Sequence, residues 1–371
     1  MCYSTAEMTA SAASGPVTTW GGRAGRIALA AASFAMAGVA LEVALRLLGA
    51  GPVPVNPDQR SLWAYHPKLG WTSRAGYEGT FDNGFFSVHV AINSRGLRGD
   101  EVSLQKPVGV RRVLVVGDSF GWGFGVEQED TFGARLERAL PDTEVINGAV
   151  SGYSTDQVLL WLRLEGRQYA PDVVVYALSG NDDIMNHMQV AYWTYYKPTY
   201  GLDRHAGLLL QGVPVPKAGL SDRLRHSLRS RSAVAKALEI ALLGHEASFV
   251  YLADSYPDPS DPHRLTVALV NALRSEAHRA GASLVVVANS QFWFSPSGSY
   301  ERLVAELRRA SHDVVDVESR PGWEPTAMQI PGDGHWNARG HAFVARLLAE
   351  RLGAGDGSAL GEDGRDKTQT R

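Results

Sequence analysis

From residue 111 onward, short apolar runs alternate with segments whose apolar residues recur at helical spacing. The short runs predict buried strands, and the longer segments predict amphipathic helices. The predicted strands are RRVLVV (111–116), TEVING (143–148), DVVVYAL (172–178), ASLVVVAN (282–289) and DVVDV (313–317). The predicted helices are residues 130–140, 154–168, 265–281, 299–310 and 338–352. This alternation indicates a five-stranded parallel sheet that is covered by helices on both faces.

The alternation lapses between residues 184 and 262, which predicts a long insertion after the third strand. The insertion contains the aromatic run AYWTYY and an Arg- and Ser-rich segment that predicts one helix around residues 221–243. Ahead of the sheet, residues 61–110 are rich in glycine and aromatic residues, and VHVAIN (88–93) alternates as a strand does. We therefore expect a small β-rich extension before the main domain.

Near the N-terminus, residues 27–41 form an uninterrupted run of apolar and small residues. Glu42 and Arg46 interrupt the pattern, but residues 27–50 together are long enough to cross a bilayer as a helix. Two arginines precede the run, so the positive-inside rule predicts a cytoplasmic N-terminus and an exterior position for the chain after Pro52. We predict a single-pass anchor. The alternatives are a cleaved signal peptide with a small-residue site near residues 49–51, and a buried core helix.

These patterns divide the chain into consecutive parts. We expect a cytoplasmic tail (1–22), a transmembrane or signal segment (23–50), a linker with the β-rich extension (51–110), the main domain (111–352, with its insertion at 184–262) and a disordered tail (353–371). The 36 basic and 39 acidic side chains nearly cancel, which argues against a nucleic-acid partner. The single cysteine, Cys2, rules out an intramolecular disulfide and a cysteine-rich zinc site.

Four short motifs lie after predicted strands or before the last helix, and open parallel sheets bind ligands at the C-terminal ends of their strands. Ser119 follows the first strand at a glycine that permits a sharp turn. Gly152 follows the second strand and precedes a helix, so its N–H is a candidate donor to an oxyanion. Asn181 follows the third strand and offers a neutral side-chain donor. His335, with Asp333 to fix its tautomer, is a candidate general base. Taken singly, each motif is also typical of an ordinary turn or a packed histidine.

In this combination and order, the motifs resemble the SGNH hydrolase family, also called GDSL esterases and lipases, over roughly residues 111–352. The resemblance implies a three-layer α/β/α sandwich with a five-stranded parallel sheet, and acyl transfer without a metal or cofactor. It also implies a catalytic triad of Ser119 as nucleophile, His335 as base and Asp333 as the orienting acid. The oxyanion hole would consist of the N–H groups of Ser119 and Gly152 and the side chain of Asn181.

The last pair departs from the usual Asp-x-x-His pattern of this family. Asp333 and His335 are separated by one residue, and Gly332 stands where the usual pattern has its aspartate. The Asp-x-His-Trp form is similar to that of SGNH-like O-acetyltransferases, which modify exported polysaccharides. The departure leaves open a Ser-His dyad in which a backbone carbonyl replaces Asp333.

The resemblance predicts a serine esterase. The apolar N-terminal segment predicts that it lies outside the cytoplasmic membrane, or is secreted if residues 27–50 are cleaved. Its substrate would be an acylated glycan or a small ester. In the insertion, Tyr192, Trp193, Tyr195 and Tyr196 are candidates for stacking on a sugar or shaping an acyl pocket, and equally for ordinary packing. One alternative is an O-acyltransferase that takes its acyl group from a membrane partner. Another is a non-catalytic glycan-binding protein of the envelope. A metal-dependent phosphoesterase is disfavoured, because its GDxH motif comes first in the chain, whereas GDGH comes last here.

Overall fold

In the computed structural model, the described residues are 20–48, 61–180, 182–188, 196–229, 231–243, 263–291 and 298–353. The strands are β1 Trp63–His66, β2 Gly70–Ser73, β3 Glu78–Asp82, β4 Ser87–Ala91, β5 Arg111–Gly117, β6 Thr143–Asn147, β7 Val173–Leu178, β8 Thr199–Leu202, β9 Leu208–Gln211, β10 Ser283–Ala288 and β11 Asp313–Asp316. The helices are α1 Trp20–Leu47, α2 Ser119–Trp122, α3 Phe132–Ala139, α4 Thr155–Leu164, α5 Asp182–Met185, α6 Leu220–Arg229, α7 Ala233–Leu243, α8 Arg264–Arg279, α9 Ser299–Arg309, α10 Pro325–Met328 and α11 Ala338–Leu352.

Five strands form one sheet in the order β6, β5, β7, β10 and β11, and every neighbouring pair is parallel. The predicted five-stranded parallel sheet is therefore confirmed. The chain passes from β5 to β6 on one side and then returns to β7 on the other, so the direction of winding reverses at β5. Such a reversal opens a crevice between the loops at the carboxyl ends of these strands.

Helices cover both faces of the sheet, as the alternation predicted. Helix α3 packs against α11, and α4 packs against α8. The connections from β5 to β6 and from β6 to β7 run in opposite directions, so right-handed crossovers put the two helix pairs on opposite faces. Helix α4 begins with a capping box between Ser154 and Gln157, which satisfies backbone groups at its first turn. The result is a three-layer α/β/α sandwich.

The extension consists of two antiparallel pairs, β1 with β2 and β3 with β4. Its apolar side chains, including Trp71 and Phe81, belong to the same buried cluster as the strands of the main sheet. Arg98, which follows β4, is 3% exposed and donates hydrogen bonds to the carbonyls of Trp122 and Val126. Its guanidinium also lies 4.4 Å from the centre of the Trp122 ring. The extension is thus joined to the loop that follows α2.

The insertion differs from the prediction in one respect. We expected one helix around residues 221–243, but the chain forms α6 and α7 with a break before Ala233. The physical reason for the break is a set of hydrogen bonds at the first turn of α7. The hydroxyl of Ser232 accepts from the N–H of Ala235, and a carboxylate from outside the segment adds further bonds. The carboxylate of Glu42 accepts from the N–H groups of Ala233 and Val234 and from the hydroxyl of Ser232. These bonds satisfy N–H groups of a new first helical turn, so α7 begins here.

Helix α1 contains the apolar segment found in the sequence. Residues 22–47 are long and apolar enough to cross a membrane by length and composition. Its side chains are exposed from residue 22 to residue 41, which contradicts the alternative of a buried core helix. The remaining parts of the predicted tails and linker, residues 1–19, 49–60 and 354–371, lie outside the described residues.

Candidate active site

The nucleophile candidate lies on a tight turn at the carboxyl end of β5. Gly117 has a φ of +143°, and a Cβ on it would come 2.6 Å from the carbonyl oxygen of Ala177 on β7. Only glycine fits this position without moving the neighbouring strand. Asp118 caps α2 by accepting a hydrogen bond from the N–H of Phe120. Ser119 is consequently the first residue of α2, at the edge of the crevice.

Ser119, His335 and Asp333 form one hydrogen-bonded line. The Oγ atom of Ser119 lies 2.8 Å from Nε2 of His335. Nδ1 of the same ring lies 2.5 Å from Oδ1 of Asp333. A carboxylate at Nδ1 favours the tautomer that carries its proton there, which leaves Nε2 free to accept from the serine hydroxyl. The arrangement is that of a general base between a nucleophile and an orienting acid.

The Asp333 carboxylate can reach the His335 ring across a single intervening residue because the loop turns back on itself. Gly332 and Gly334 both have positive φ angles, of +78° and +93°. The N–H of Gly334 donates to the carbonyl of Ile330, and Ile330 N–H donates to the carbonyl of His335. Oδ1 of Asp333 also accepts from the backbone N–H of His335 at 3.2 Å. Oδ1 of Asp333 is thus hydrogen-bonded to both the backbone and the ring of His335.

Electrostatics favour the ionised form of Asp333. Burial alone would raise the pKa of this carboxyl, but hydrogen bonds from His335, the charge of that ring and a bond from Asn83 hold the pKa below its ordinary value. An ionised Asp333 stabilises the imidazolium that forms when His335 takes a proton. The pair therefore has the charge that a base-catalysed attack requires.

The extension supplies a fourth polar group that the sequence analysis missed. Nδ2 of Asn83, in the turn between β3 and β4, lies 3.3 Å from Oδ2 of Asp333 and donates to it. The carbonyl oxygen of the same amide accepts from the N–H groups of Phe85 and Phe86, which fixes the amide orientation. The sequence Asp-Asn-Gly signals only a turn, and nothing local indicates a contact with a residue 250 positions away.

Aromatic rings surround the base. The ring of Phe124 lies 4.4 Å from that of His335, and the ring of Phe120 lies 5.0 Å from it, measured between centroids. Phe124 in turn packs edge-on against Phe81 and Phe86 of the extension. These contacts restrict rotation of the imidazole about its side-chain bonds. They also keep one side of the Ser119 and His335 pair apolar.

Gly152 lies in the loop after β6, with its φ at +82°. This loop is tied to the nucleophile turn, because the N–H of Val150 donates to the carbonyl of Gly117. The extension holds the residues on both sides of Gly152. The indole N–H of Trp71 donates to the carbonyl of Ser151 at 3.0 Å, and the hydroxyl of Tyr153 donates to the carbonyl of Trp71 at 2.6 Å. The backbone at Gly152 is therefore fixed beside the turn that carries the serine.

Asn181, the third predicted oxyanion donor, lies outside the described residues. Its neighbours are well held. Gly180 N–H donates to the carbonyl of Gln291, and Asp182 N–H donates to that of Ser179. The hydroxyl of Ser179 donates to Oδ2 of Asp118 at 2.5 Å. These bonds connect the loop after β7 to the loop after β5.

Two buried carboxyl groups lie beneath these loops. Burial raises the pKa of Asp118 to about 6, although hydrogen bonds from Ser179 and Phe120 oppose the shift. Burial and the nearby charge of Asp118 raise the pKa of Asp182 well above its usual value. Asp182 accepts a hydrogen bond from the hydroxyl of Tyr176. Both carboxyl groups therefore hold a proton more tightly than a carboxyl group in water does.

Lys197 links the insertion to the helix that follows Gly152. Its ammonium and the carboxylate of Asp156 on α4 are both fully buried, with Nζ and Oδ2 2.5 Å apart. The same ammonium donates to the carbonyls of Met185 and Met188, which follow the Asn181 loop. One buried cation thus joins the segments after the second and third strands. The sequence signal, a single Lys, does not distinguish this residue from an exposed one.

The aromatic candidates of the insertion fall mostly outside the described residues, since Tyr192, Trp193 and Tyr195 are not among them. Tyr196 is half-buried, and its carbonyl oxygen closely approaches Gly70 at the start of β2. Its role in substrate binding remains a prediction. A surface cavity of about 440 Å³ borders Asp333 and is lined by residues 325–334. A larger cavity, about 650 Å³, lies at the opposite ends of β10 and β11, away from Ser119.

Sequence comparison identifies a family. The profile of the GDSL-like Lipase/Acylhydrolase family matches residues 115–343, more than half of the chain. No curated protein sequence matches the chain.

The solved structures that match this chain include TesA and two esterases. TesA is 15% identical, with 65% of this chain and 99% of that chain covered and a TM-score of 0.35. The acetylxylan esterase Axe2 from Geobacillus stearothermophilus is 15% identical, with 66% and 96% covered and a TM-score of 0.36. The two-domain esterase CEX, active on acetylated mannans, is 14% identical, with 66% and 49% covered and a TM-score of 0.37.

Proposed function

The chain belongs to the GDSL-like lipase/acylhydrolase family, the SGNH hydrolases, and from this premise we propose that it cleaves esters through an acyl intermediate on Ser119. It is an ester-hydrolysing enzyme, as its family is. One observation carries the finer proposal. The Ser119 hydroxyl, the His335 ring and the Asp333 carboxylate are hydrogen-bonded in series, at 2.8 Å and 2.5 Å.

The first step is attack of the Ser119 Oγ on the ester carbonyl carbon. His335 takes the hydroxyl proton at Nε2 as the new C–O bond forms, and Asp333 stabilises the resulting imidazolium. When the tetrahedral intermediate collapses, the bond to the leaving alcohol breaks and the imidazolium returns the proton to the alcohol oxygen. The products of this step are an alcohol and an acyl-Ser119 enzyme.

The negative charge on the former carbonyl oxygen needs donors. We assign this role to the N–H of Ser119, the N–H of Gly152 and the side chain of Asn181. Ser119 is the first residue of α2, where the N–H has no partner within the helix. The two loops beside Gly152 and Asn181 are braced by Trp71 and by Asp118, which supports fixed donors. Preorganised donors of this kind commonly contribute a hundredfold or more to the rate, on the order of 3 kcal/mol each.

The acyl-enzyme has two possible acceptors. Attack by water, with His335 again as base, releases a carboxylic acid and completes an esterase cycle. Attack by a sugar hydroxyl would complete an O-acyltransferase cycle, and the Asp-x-His-Trp sequence is the feature that favours this second candidate. We propose hydrolysis of an acylated glycan or small ester as the primary activity. Transfer would need an acyl donor, supplied by a membrane partner.

We further propose that α1 anchors the enzyme in the cytoplasmic membrane, with the catalytic domain outside. The helix is apolar over a length that spans a bilayer. Arg23 and Arg26 lie at its N-terminal end, which under the positive-inside rule is the cytoplasmic one. The catalytic domain follows on the other side.

The test uses the full chain in detergent micelles with a chromogenic acetyl ester. Intact mass and acetate release are followed for the wild type, for Ser119→Ala and for Ser275→Ala, a control serine on the exposed side of α8. We expect a transient acetyl adduct in the wild type and the control, and none in Ser119→Ala. Rapid acetate release indicates an esterase. A stable adduct that disappears on addition of an oligosaccharide indicates a transferase.

The proposal fails if the folded wild type forms no adduct and releases no acid from the acetyl ester or from a longer-chain ester. Glycan binding that persists in Ser119→Ala, without turnover in the wild type, would then favour a non-catalytic envelope protein. An adduct that also forms in Ser119→Ala would identify a different nucleophile.

A further inference from the structure

Two charged residues interrupt the apolar pattern of α1, and both contact the insertion. The carboxylate of Glu42 accepts from Ala233 N–H and Val234 N–H, each at 2.9 Å, and from the Ser232 hydroxyl at 2.8 Å. Arg46 donates to Glu42 at 2.7 Å and to the carbonyl of Arg231 at 2.6 Å. Each charged group thus has partners around the start of α7.

These contacts form a helix cap supplied from a distant part of the chain. The first N–H groups of a helix have no partner within it, and the partial positive charge there favours an anion. Glu42 meets both requirements for α7, although it lies 191 positions away from Ala233. Helix α1 contacts α7 and α7 contacts α6, so residues 42–46 and the α6–α7 hairpin form one joint.

The position of Glu42 along α1 determines where this joint lies relative to the bilayer. Arg23 and Glu42 are separated by about 29 Å along the helix axis, at 1.5 Å per residue. The hydrocarbon core of a bilayer is about 30 Å thick. With Arg23 at the inner boundary, Glu42 lies at the outer boundary, and so does the start of α7.

Helix α6, which contacts α7, presents an apolar ridge. Leu220, Leu224 and Leu228 recur at four-residue spacing and are 66%, 55% and 62% exposed. The sequence of α6, LSDRLRHSLR, contains three arginines and one acidic residue. Exposed leucines beside basic residues are the composition of a helix that lies in the interface of an anionic membrane. Charge and position therefore both favour a lipid surface over a second protein.

We propose that the α6–α7 hairpin is the joint by which the catalytic domain holds its own membrane anchor, with the leucine ridge of α6 lying on the outer lipid surface. This inference rests on the proposed anchoring by α1. It requires that α1 is retained, because cleavage near residues 49–51 would remove the cap from α7.

Hydrogen exchange tests the joint in the full chain, reconstituted in nanodiscs of phosphatidylethanolamine and phosphatidylglycerol. Exchange is resolved at the amides of Ala233 and Val234. Glu42→Ala should increase their exchange about tenfold, as loss of a helix cap does. Glu350→Ala is the matched control, since Glu350 also pairs with an arginine four residues away, on an exposed face of α11. The control should leave both amides unchanged.

A second readout tests the lipid contact. In a Cys2→Ser background, an environment-sensitive fluorophore is attached at Leu224→Cys, or at Val108→Cys as a fully exposed control on the connection before β5. Headgroup-level spin-labelled lipid should quench the label at 224 at least twofold more than that at 108, and Glu42→Ala should reduce the difference. Equal quenching at both positions, or none at 224, would overturn the contact between α6 and lipid.

The outcomes separate this inference from the anchoring on which it rests. If peptides of residues 20–48 are missing from the purified protein, the anchor itself is cleaved and both proposals fail. If those peptides are present but the Ala233 and Val234 amides ignore Glu42→Ala, only the joint fails. Ester hydrolysis is measured independently and decides neither outcome.

Discussion

The two additions to the α/β sandwich, the extension before β5 and the insertion after β7, connect to different parts of the molecule. The extension contacts the catalytic loops, through Trp71 beside Gly152, Asn83 beside Asp333, and Arg98 beside the end of α2. The described part of the insertion contacts α1 at the start of α7, and its contacts with the core include the buried Lys197 and Tyr200. The extension therefore supports the loops that carry the candidate site residues, and the insertion contacts the apolar helix α1.

This difference shows that the two additions serve the α/β sandwich in different ways. The extension packs inside the same apolar cluster as the sheet, so it folds with the core and can fix atoms of the site. The insertion carries exposed leucines, which suits a surface that meets something else. Changes in the extension should reduce turnover. Changes at the exposed leucines of α6 should leave turnover intact.

The largest expected effect lies at the carboxylate that the extension supports. Asp333→Asn keeps the shape but removes the charge that stabilises the imidazolium, so kcat/KM should fall about 10³- to 10⁴-fold. Asp203→Asn, in the β8–β9 turn of the insertion, is the matched control and should change kcat/KM less than twofold. The measurement is steady-state hydrolysis of an acetyl ester. A loss of less than tenfold in Asp333→Asn would indicate a Ser-His dyad instead.

The sequence predicted the elements and the site through local signals. Periodicity predicted β5 within one residue. The glycine-bearing turns at strand ends identified Ser119 and Gly152 as candidates, because each signal spans only a few positions. Contacts between distant segments had no such signal. Asn83 reaches Asp333 across 250 positions, and Glu42 accepts from the Ala233 N–H from 191 positions earlier. Such pairings follow from the packing of whole elements, which no short window contains.

The next effect is on stability, at the buried ion pair between Lys197 of the insertion and Asp156 of α4. Lys197→Met leaves the buried Asp156 without its cation, so the free energy of unfolding should fall by about 3–5 kcal/mol. Adding Asp156→Asn removes the unpaired charge and should recover at least half of that loss. The exposed Lys68→Met should cost less than about 0.5 kcal/mol. Urea unfolding of the full chain in micelles measures all four proteins. Equal stability of Lys197→Met and wild type would show that the insertion is not tied to the core here.

A third test uses the nucleophile turn, which belongs to neither addition. The pKa of Asp118 is about 6 in the folded protein, above the ordinary value of 3.8. The folded state therefore binds a proton more tightly than the unfolded chain between about pH 4 and pH 6, and this group makes the protein more stable as the pH falls through that window. The gain in wild type relative to Asp118→Asn should be about 2–3 kcal/mol between pH 7 and pH 4. Parallel stability curves for the two proteins would contradict a buried, proton-binding Asp118.

The smallest expected effect is at Asn83. A substitution here can remove the contact between the extension and Asp333 while leaving the fold of the extension intact, so it tests directly whether that contact supports the site. Asn83→Asp retains the oxygen that accepts from Phe85 and Phe86, so the β3–β4 turn should persist, but it loses the donor to Asp333 and adds a like charge. We expect kcat to fall about tenfold, with KM changed less than twofold. The low-pH limb of kcat should move to higher pH, because an added carboxylate favours the protonated form of the Asp333–His335 pair. Asn83→Ala should lower kcat less, about threefold, since it removes the donor without adding charge. A merely structural role would instead lower stability and activity more in Asn83→Ala, which loses the turn, and would leave the pH profile of Asn83→Asp in place.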